Sequence, residues 1–198
     1  MDPFRYLSKD PVMKRLIETH GPVKIVVDQE DLISRLVQEI VSQQLSIKAA
    51  DTRYGRFKNL LSQSNPFLPE EILTLSDDDI RTKAGISYAK IRYIKGIAQA
   101  TVENHIDFND LINQSDAEVF DSLITLKGIG PWTAEMILMN SLGRPDIFSI
   151  GDAGLRRAIS ALYPIAPSDL SAMMTLSETW TPYRSYASRY LWKSLDTV

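Results

Sequence analysis

Two stretches in the second half of the chain contain the residues best suited to chemistry. The first is "LKGIGPWTAEMI" at 126–137. Gly128 and Gly130 can adopt backbone angles that are closed to other residues, and they let a phosphate approach the main chain closely. Pro131 suits the first turn of a helix, where free amides at the positive end of the helix dipole favour an anion. The stretch is therefore compatible with phosphate binding and, equally, with a plain glycine-rich corner between two helices.

The second stretch is "FSIGDAGLRRAI", in which Asp152 follows Trp132 by twenty residues. An aspartate directly before a predicted helix is typical of an N-cap, whose side chain accepts a backbone N–H from the first turn. A chemical role is compatible with the cap, because the amides and the helix dipole hold such a carboxylate in its ionised form. An ionised carboxylate is what a reaction that builds positive charge on a sugar requires.

The composition limits the alternatives. The chain has no cysteine, which excludes disulfides, thiolate zinc sites, iron–sulfur clusters and cysteine nucleophiles. His20 and His105 are far in sequence from both stretches. The formal net charge of −3 counts mildly against nucleic-acid binding, although a local basic face or backbone amides can still bind phosphate. The sequence has no apolar run long enough to cross a bilayer, and its N-terminus is too polar for a signal peptide. We therefore expect an intracellular protein, which would be cytoplasmic in a bacterium or archaeon and nuclear in a eukaryote.

The apolar periodicity is helical almost throughout and predicts an all-α protein of roughly ten helices. Around the first stretch, the pattern predicts a helix at 116–125, the hairpin "LKGIG" and a helix at 131–142. Ser115 and Glu118 form a capping-box pattern before the first of these helices. The run "VKIVV" at 23–27 is the only strand signal, and it has no obvious partner.

Four stretches together resemble one family. "LKGIGPWTAEMI", with the aspartate twenty residues after its tryptophan, resembles the helix-hairpin-helix DNA glycosylase superfamily, in its 3-methyladenine DNA glycosylase II (AlkA-like) branch. The stretches "IVSQQLSIKAA", "GISYAKIRYIKGIA" and "WTPYRSYASRYLW" match the same branch in the same order, so that the resemblance covers about residues 10–195.

The resemblance implies a bilobal helical fold with the active-site cleft between the lobes. A middle lobe of about 35–150 would contain the helix-hairpin-helix motif at 116–142, and 1–34 with 151–198 would form the second lobe. The best-known bacterial members carry an extra N-terminal β-rich domain, for which 198 residues leave no room, so that one wall of the substrate pocket is expected to differ.

The implied activity is that of a monofunctional DNA glycosylase of base excision repair. It would flip an alkylated purine, of the 3-methyladenine or 7-methylguanine type, and hydrolyse its N-glycosidic bond to leave an abasic site. Asp152 matches the catalytic aspartate, which stabilises an oxocarbenium-like sugar and orients or deprotonates the attacking water. Related lyases carry a lysine where Trp132 stands, and since tryptophan cannot form a Schiff base we expect no lyase activity.

Further site residues follow from the resemblance. The base pocket would be lined by Trp132, Met136 and Trp192, whose indole faces attract a cationic base, although most aromatic residues at 180–192 are also suited to the core. The DNA backbone would be bound by Gly128, Gly130 and Thr133. A monovalent cation, sodium or potassium, would be held by the backbone carbonyls of Ile124, Leu126 and Ile129, with no other cofactor required.

One stretch offers a candidate for the wedge that fills the gap left by the flipped nucleotide. Gln44 falls on the apolar stripe predicted for "DLISRLVQEIVSQQ", which is an unusual place for an amide unless the helix ends there. The functional interpretation makes Gln44, with Leu45, the wedge, where close relatives use a leucine. Downstream, Lys90, Arg92 and Lys95 are compatible with a solvated helix face.

The expected partner is double-stranded DNA that contains alkylated bases, bound by a monomer without membrane association. Two alternatives stay open. A non-catalytic helix-hairpin-helix module would keep the hairpin but would not need Asp152. A glycosylase for another lesion, such as a deaminated base, would differ in the pocket residues rather than in the hairpin.

Overall fold

The computed structural model describes residues 2–25, 27, 31–62, 66–108 and 110–196, and these residues form twelve α-helices and no strand. The predicted all-α class is therefore confirmed. Within the run "VKIVV", Val26 lies outside the described residues and the other four positions have no regular structure. None of the described helices has the length and hydropathy needed to cross a bilayer. The helices are α1 (Pro3–Leu7), α2 (Pro11–His20), α3 (Leu32–Ser42), α4 (Ile47–Lys58), α5 (Pro69–Thr74), α6 (Asp77–Asp79), α7 (Tyr88–Val102), α8 (Asp116–Ile124), α9 (Pro131–Met136), α10 (Ala153–Leu162), α11 (Leu170–Glu178) and α12 (Arg184–Leu195).

The chain divides into two compact units. The terminal unit combines Met1–Val27 with Leu138–Val198, and the middle unit is Asp28–Ile137. The two boundaries between these units follow residues 27 and 137, whereas the sequence predicted them at 34/35 and 150/151. Residues 138–150 lie in the terminal unit because Phe148 is part of its core and Ile147 N–H donates to Ser185 Oγ at 2.9 Å.

The terminal unit is built on α2, α10 and α12. Its core contains Met13, Leu155 and Ile159 together with two fully buried aromatic residues, Trp180 and Tyr190. The polar atoms of these two rings are satisfied, since Trp180 Nε1 donates to Asp10 Oδ2 at 3.1 Å and Tyr190 OH donates to the carbonyl of Gly21 at 2.9 Å. Trp180 and Tyr190 are thus structural, and the partly buried Tyr183, Tyr186 and Trp192 pack against the same core.

The middle unit packs α3 against α4 and α7, and α5 against α7. Its core combines completely buried aliphatic residues, among them Leu36, Ile40 and Ile91, with the buried aromatic residues Phe57 and Phe67. The N-terminus of α3 is capped by Asp31, which accepts the N–H of Ser34 at 3.0 Å.

Two π turns interrupt the α-helical pattern, at Ile80–Ala84 after α6 and at Ile137–Ser141 after α9. The predicted helix at 131–142 is therefore α-helical only as far as Met136.

Candidate active site

The glycine hairpin joins α8 to α9, and its two glycines differ. The predicted capping box is present, because Ser115 N–H donates to Glu118 Oε2 at 2.8 Å and Glu118 N–H donates to Ser115 Oγ. Gly128 has φ +94°, and a Cβ atom there would lie 2.6 Å from Cδ2 of Tyr93. Gly130 has φ −99° and ψ 174°, an extended conformation open to any residue, and apart from its chain neighbours no atom of the described residues lies within 4 Å of an added Cβ. The expected special backbone angle is therefore found at Gly128 only, and Gly130 instead leaves the main chain uncovered.

Buried apolar residues hold the hairpin to the middle unit, with Leu126 and Ile129 both more than nine-tenths buried. Pro131 occupies the first turn of α9, in which Ala134 N–H donates to Gly130 O at 3.0 Å. Trp132 is 42% exposed, whereas Thr133 and Met136 are buried. A contact between DNA and Thr133 would therefore involve its main chain before its side chain.

The segment proposed as a wedge is a turn, not part of a helix. Helix α3 ends at Ser42, and Gln44 has φ +58° and an exposed side chain, so the expectation that Gln44 continues the apolar stripe is wrong. At this end of the helix Lys90 Nζ donates to the carbonyls of Val41, at 2.8 Å, and Gln43, at 2.7 Å. Leu45 beside it is half-buried.

The turn at Gln43–Leu45 is also tied to the glycine hairpin, since Gln43 Nε2 donates to the carbonyl of Gly128 at 2.9 Å. Lys90 therefore serves an internal role that the sequence pattern did not indicate. Burial, with a smaller contribution from Arg53, lowers its pKa. Lys95 is internal as well, because its Nζ donates to the carbonyl of Leu75 at 2.7 Å and contacts Asp77 at 2.6 Å.

We expect Lys90→Met to loosen this turn. The substitution keeps a long apolar stem but leaves two carbonyls at the end of α3 without their donor, which costs about 1–3 kcal/mol of unfolding free energy. Amide hydrogen exchange at Gln44 and Leu45 should accelerate relative to the rest of the middle unit. Lys95→Met removes a comparable ammonium elsewhere in the unit and should leave exchange at these two amides unchanged. Unchanged exchange in Lys90→Met would show that the lysine does not hold the turn.

A cavity of about 390 Å³ lies beside this turn. It is lined by Glu39, Ser42, Gln43, Gln44 and Trp132, so the structure brings the proposed wedge and one proposed pocket tryptophan to a single cavity. Met136 is not among these lining residues. The surface combines an indole, two amides, a hydroxyl and a carboxylate, which suits a planar heterocycle with several polar edges.

Glu39 is the charged member of the cavity wall, and its side chain is only 16% exposed. Arg35, one turn earlier on α3, contacts its Oε1 at 3.1 Å. Burial raises the pKa of Glu39, and the arginine partly opposes this shift. The sequence pattern gave no reason to single out Glu39, because an acidic residue four positions after an arginine is typical of an exposed helix face.

Asp152 lies in the terminal unit, where it caps α10 as predicted. Its Oδ1 accepts the N–H of Leu155 at 2.8 Å and the indole Nε1–H of Trp192 at 3.0 Å. Two donors on one oxygen fix the orientation of the half-buried carboxylate and stabilise its negative charge. Gly154 keeps the contact compact, because a Cβ atom there would be 3.0 Å from Asp152 Oδ1. Trp192, expected in the base pocket, is thus also a direct partner of the carboxylate.

Comparisons with known proteins agree on one family. The model of the HhH-GPD superfamily of base excision DNA repair proteins matches residues 37–182. DNA-3-methyladenine glycosylase 1 of Schizosaccharomyces pombe is 33% identical over 190 residues, which cover 93% of this chain and 82% of that protein. A relative in Bacillus subtilis is longer, and this chain spans 66% of it.

Solved structures show the same relationship. The DNA-3-methyladenine glycosidase of Bacillus halodurans is 36% identical, with a TM-score of 0.87 and coverage of 98% of this chain and 89% of that chain. The 3-methyladenine DNA glycosylase of Schizosaccharomyces pombe in complex with abasic DNA is 30% identical, with a TM-score of 0.86. The match covers 99% of this chain and 97% of that chain. This chain belongs to the HhH-GPD superfamily of base excision DNA repair proteins, among relatives named DNA-3-methyladenine glycosylases.

Proposed function

We propose that the protein is a monofunctional DNA glycosylase of base excision repair that removes alkylated purines from double-stranded DNA. The observation that carries the proposal is the Asp152 carboxylate, held by the Leu155 amide and the Trp192 indole in a chain whose relatives are named DNA-3-methyladenine glycosylases. A fixed, partly buried carboxylate is the group that this chemistry needs, whereas a DNA-binding module would need it only to cap α10.

The reaction needs little beyond this carboxylate. Alkylation at N3 or N7 gives the purine a positive charge, so the electron pair of the N-glycosidic bond leaves with the base without prior protonation. The positive charge then passes to the sugar, where the ionised Asp152 stabilises it. Water adds to the sugar and loses a proton, and the carboxylate orients this water or accepts the proton. The products are a neutral methylated base and an abasic site.

Trp132 supports hydrolysis in place of strand cleavage. It opens α9 with 42% of its surface exposed and lines the cavity beside the turn at Gln43–Leu45. An indole has no nucleophilic amine and cannot form a Schiff base with the sugar. Strand breaks should consequently appear only after alkali treatment of the product.

The glycine hairpin is the proposed contact with the DNA backbone. Gly130 leaves its main chain uncovered, as close approach of a phosphate requires, and the related S. pombe glycosylase is solved in complex with abasic DNA. The carbonyls of Ile124, Leu126 and Ile129 are oxygen donors of the kind that bind sodium or potassium, although Leu126 O also accepts Ile129 N–H at 3.0 Å. A cation held there would offset phosphate charge. The protein would bind alkylated duplex DNA as a monomer.

We expect Trp192→Phe to slow base release about fivefold to twentyfold, because Asp152 Oδ1 loses the hydrogen bond from the indole while the aromatic packing is kept. The single-turnover rate constant on a duplex with one 7-methylguanine measures this. Trp180→Phe is the matched control, since it removes an indole hydrogen bond to Asp10 in the same unit. That control should lose stability but keep its rate. Equal rates for Trp192→Phe and the wild type would exclude the positioning role.

A panel of duplexes with one lesion each tests the substrate class. We expect release of 3-methyladenine and 7-methylguanine to exceed release of hypoxanthine, the deaminated form of adenine. Preferential release of hypoxanthine would favour a glycosylase for deaminated bases. Binding of abasic DNA without release of any base would favour a non-catalytic module.

A further inference from the structure

The cavity beside Trp132 has one acidic residue among its described lining residues. Of the ion pair on α3, Glu39 lines the cavity and Arg35 is not among the lining residues. Arg35 is further engaged, because its Nη1 donates to Gln38 Oε1 at 2.9 Å. An anion and an exposed aromatic face at one cavity both favour a cation over a neutral group of the same shape.

The position of Glu39 at the C-terminal end of its helix also favours a cation over a neutral group. Glu39 and Ser42 belong to the last turn of α3, whose carbonyl ends favour positive charge. Lys90 satisfies the carbonyls of Val41 and Gln43 from α7, but it is not among the residues lining the cavity. A ligand in the cavity therefore encounters a carboxylate, amides and an indole from the described residues.

We propose that Glu39 is a specificity-determining residue that recognises the positive charge of the flipped alkylpurine. The proposal rests on the proposed function, since it assigns the cavity to the extrahelical base. It divides the reaction into two stages. Glu39 stabilises the charge while it is on the base, and this stabilisation ends once the N-glycosidic electron pair has moved to the base.

This division has a kinetic signature. The charge that Glu39 recognises is present in the bound substrate and largely lost in the dissociative transition state, so its stabilisation belongs to the ground state. Removing the charge should weaken the binding of cationic substrate without slowing the chemical step. A purely structural role for the Arg35–Glu39 pair would instead affect all ligands alike.

The test compares Glu39→Gln with Arg35→Gln, which break the same ion pair from opposite ends. Single-turnover kinetics on a 7-methylguanine duplex give the half-saturating enzyme concentration and the limiting rate constant. Binding to a duplex containing 7-methyl-7-deazaguanine, a neutral and uncleaved base of the same shape, gives the charge-independent affinity. For Glu39→Gln we expect a half-saturating concentration about tenfold higher, a limiting rate constant that is not lower, and unchanged binding of the neutral base.

Arg35→Gln should not raise the half-saturating concentration. Equal weakening by both substitutions, or weakening that extends to the neutral base, would overturn the proposal in favour of a structural ion pair. Wild-type behaviour of Glu39→Gln would overturn it as well. A wild-type protein that releases no methylated purine would instead contradict the proposed function itself, so the two failures are distinguishable.

Discussion

An Asp152→Asn variant is expected to release methylated purines at least about a thousandfold more slowly than the wild type. Asparagine has the same shape, and its carbonyl oxygen can still accept the N–H groups of Leu155 and Trp192 that now reach Oδ1. The fold and the cap of α10 should therefore survive, while the negative charge that we propose stabilises the sugar cation is lost. Single-turnover release from a 7-methylguanine duplex measures the rate, and affinity for a duplex with a stable abasic analogue measures binding.

Asp169→Asn is the matched control for this change. Asp169 caps α11 in the same unit, where its Oδ1 accepts the N–H of Ala172 at 2.9 Å. We expect its rate of release to stay within about twofold of the wild type, as for most surface substitutions remote from the reacting groups. An Asp152→Asn variant with the wild-type rate would contradict the mechanism. A simultaneous loss of affinity for abasic DNA would point to a disturbed fold.

The second large effect is expected for Gly128→Ala. The added methyl group would meet the Tyr93 side chain at 2.6 Å from Cδ2 and 3.0 Å from Cβ, and alanine is strained at φ +94°. Overpacking and strain together should lower the free energy of unfolding by about 2–4 kcal/mol or displace the hairpin. Displacement would also disturb the Gly128 carbonyl that receives Gln43, so DNA affinity should fall by at least about tenfold. Urea denaturation and binding to an abasic duplex measure the two effects.

Gly130→Ala separates the structural role of the hairpin from its contact with DNA. Its extended backbone and open surroundings accept a methyl group, so the unfolding free energy should change by less than about 0.5 kcal/mol. Affinity for DNA should nevertheless fall, because the methyl group would obstruct the proposed approach of a phosphate to the main chain. Equal destabilisation by the two substitutions would contradict the different roles assigned to the two glycines.

The features that the sequence predicted correctly are local. The Ser115–Glu118 capping box, the Pro131 helix start and the Asp152 cap depend on residues within one helical turn of one another. The all-α class follows from a periodicity repeated along the chain, and the family follows from four stretches in a fixed order. Such signals are contained in the order of residues alone.

The features that could not be predicted depend on distant partners. Helix α3 ends at Ser42, where a lysine from α7, at position 90, donates to the carbonyls of Val41 and Gln43, and the helical pattern of α3 contains no sign of this contact. Trp192 donates to Asp152 across forty residues of sequence. Glu39 resembles any exposed helix charge until the cavity beside it is known. Each of these contacts is set by packing, which periodicity does not encode.

The most direct test of the central claim is to incubate the purified protein with DNA methylated by an alkylating agent and to identify the released bases by chromatography. We predict release of 3-methyladenine and 7-methylguanine, with strand breaks that appear only after alkali. Tight binding to abasic duplex DNA without release of either base would contradict the claim, and with it the roles given to Asp152, Trp132 and Glu39.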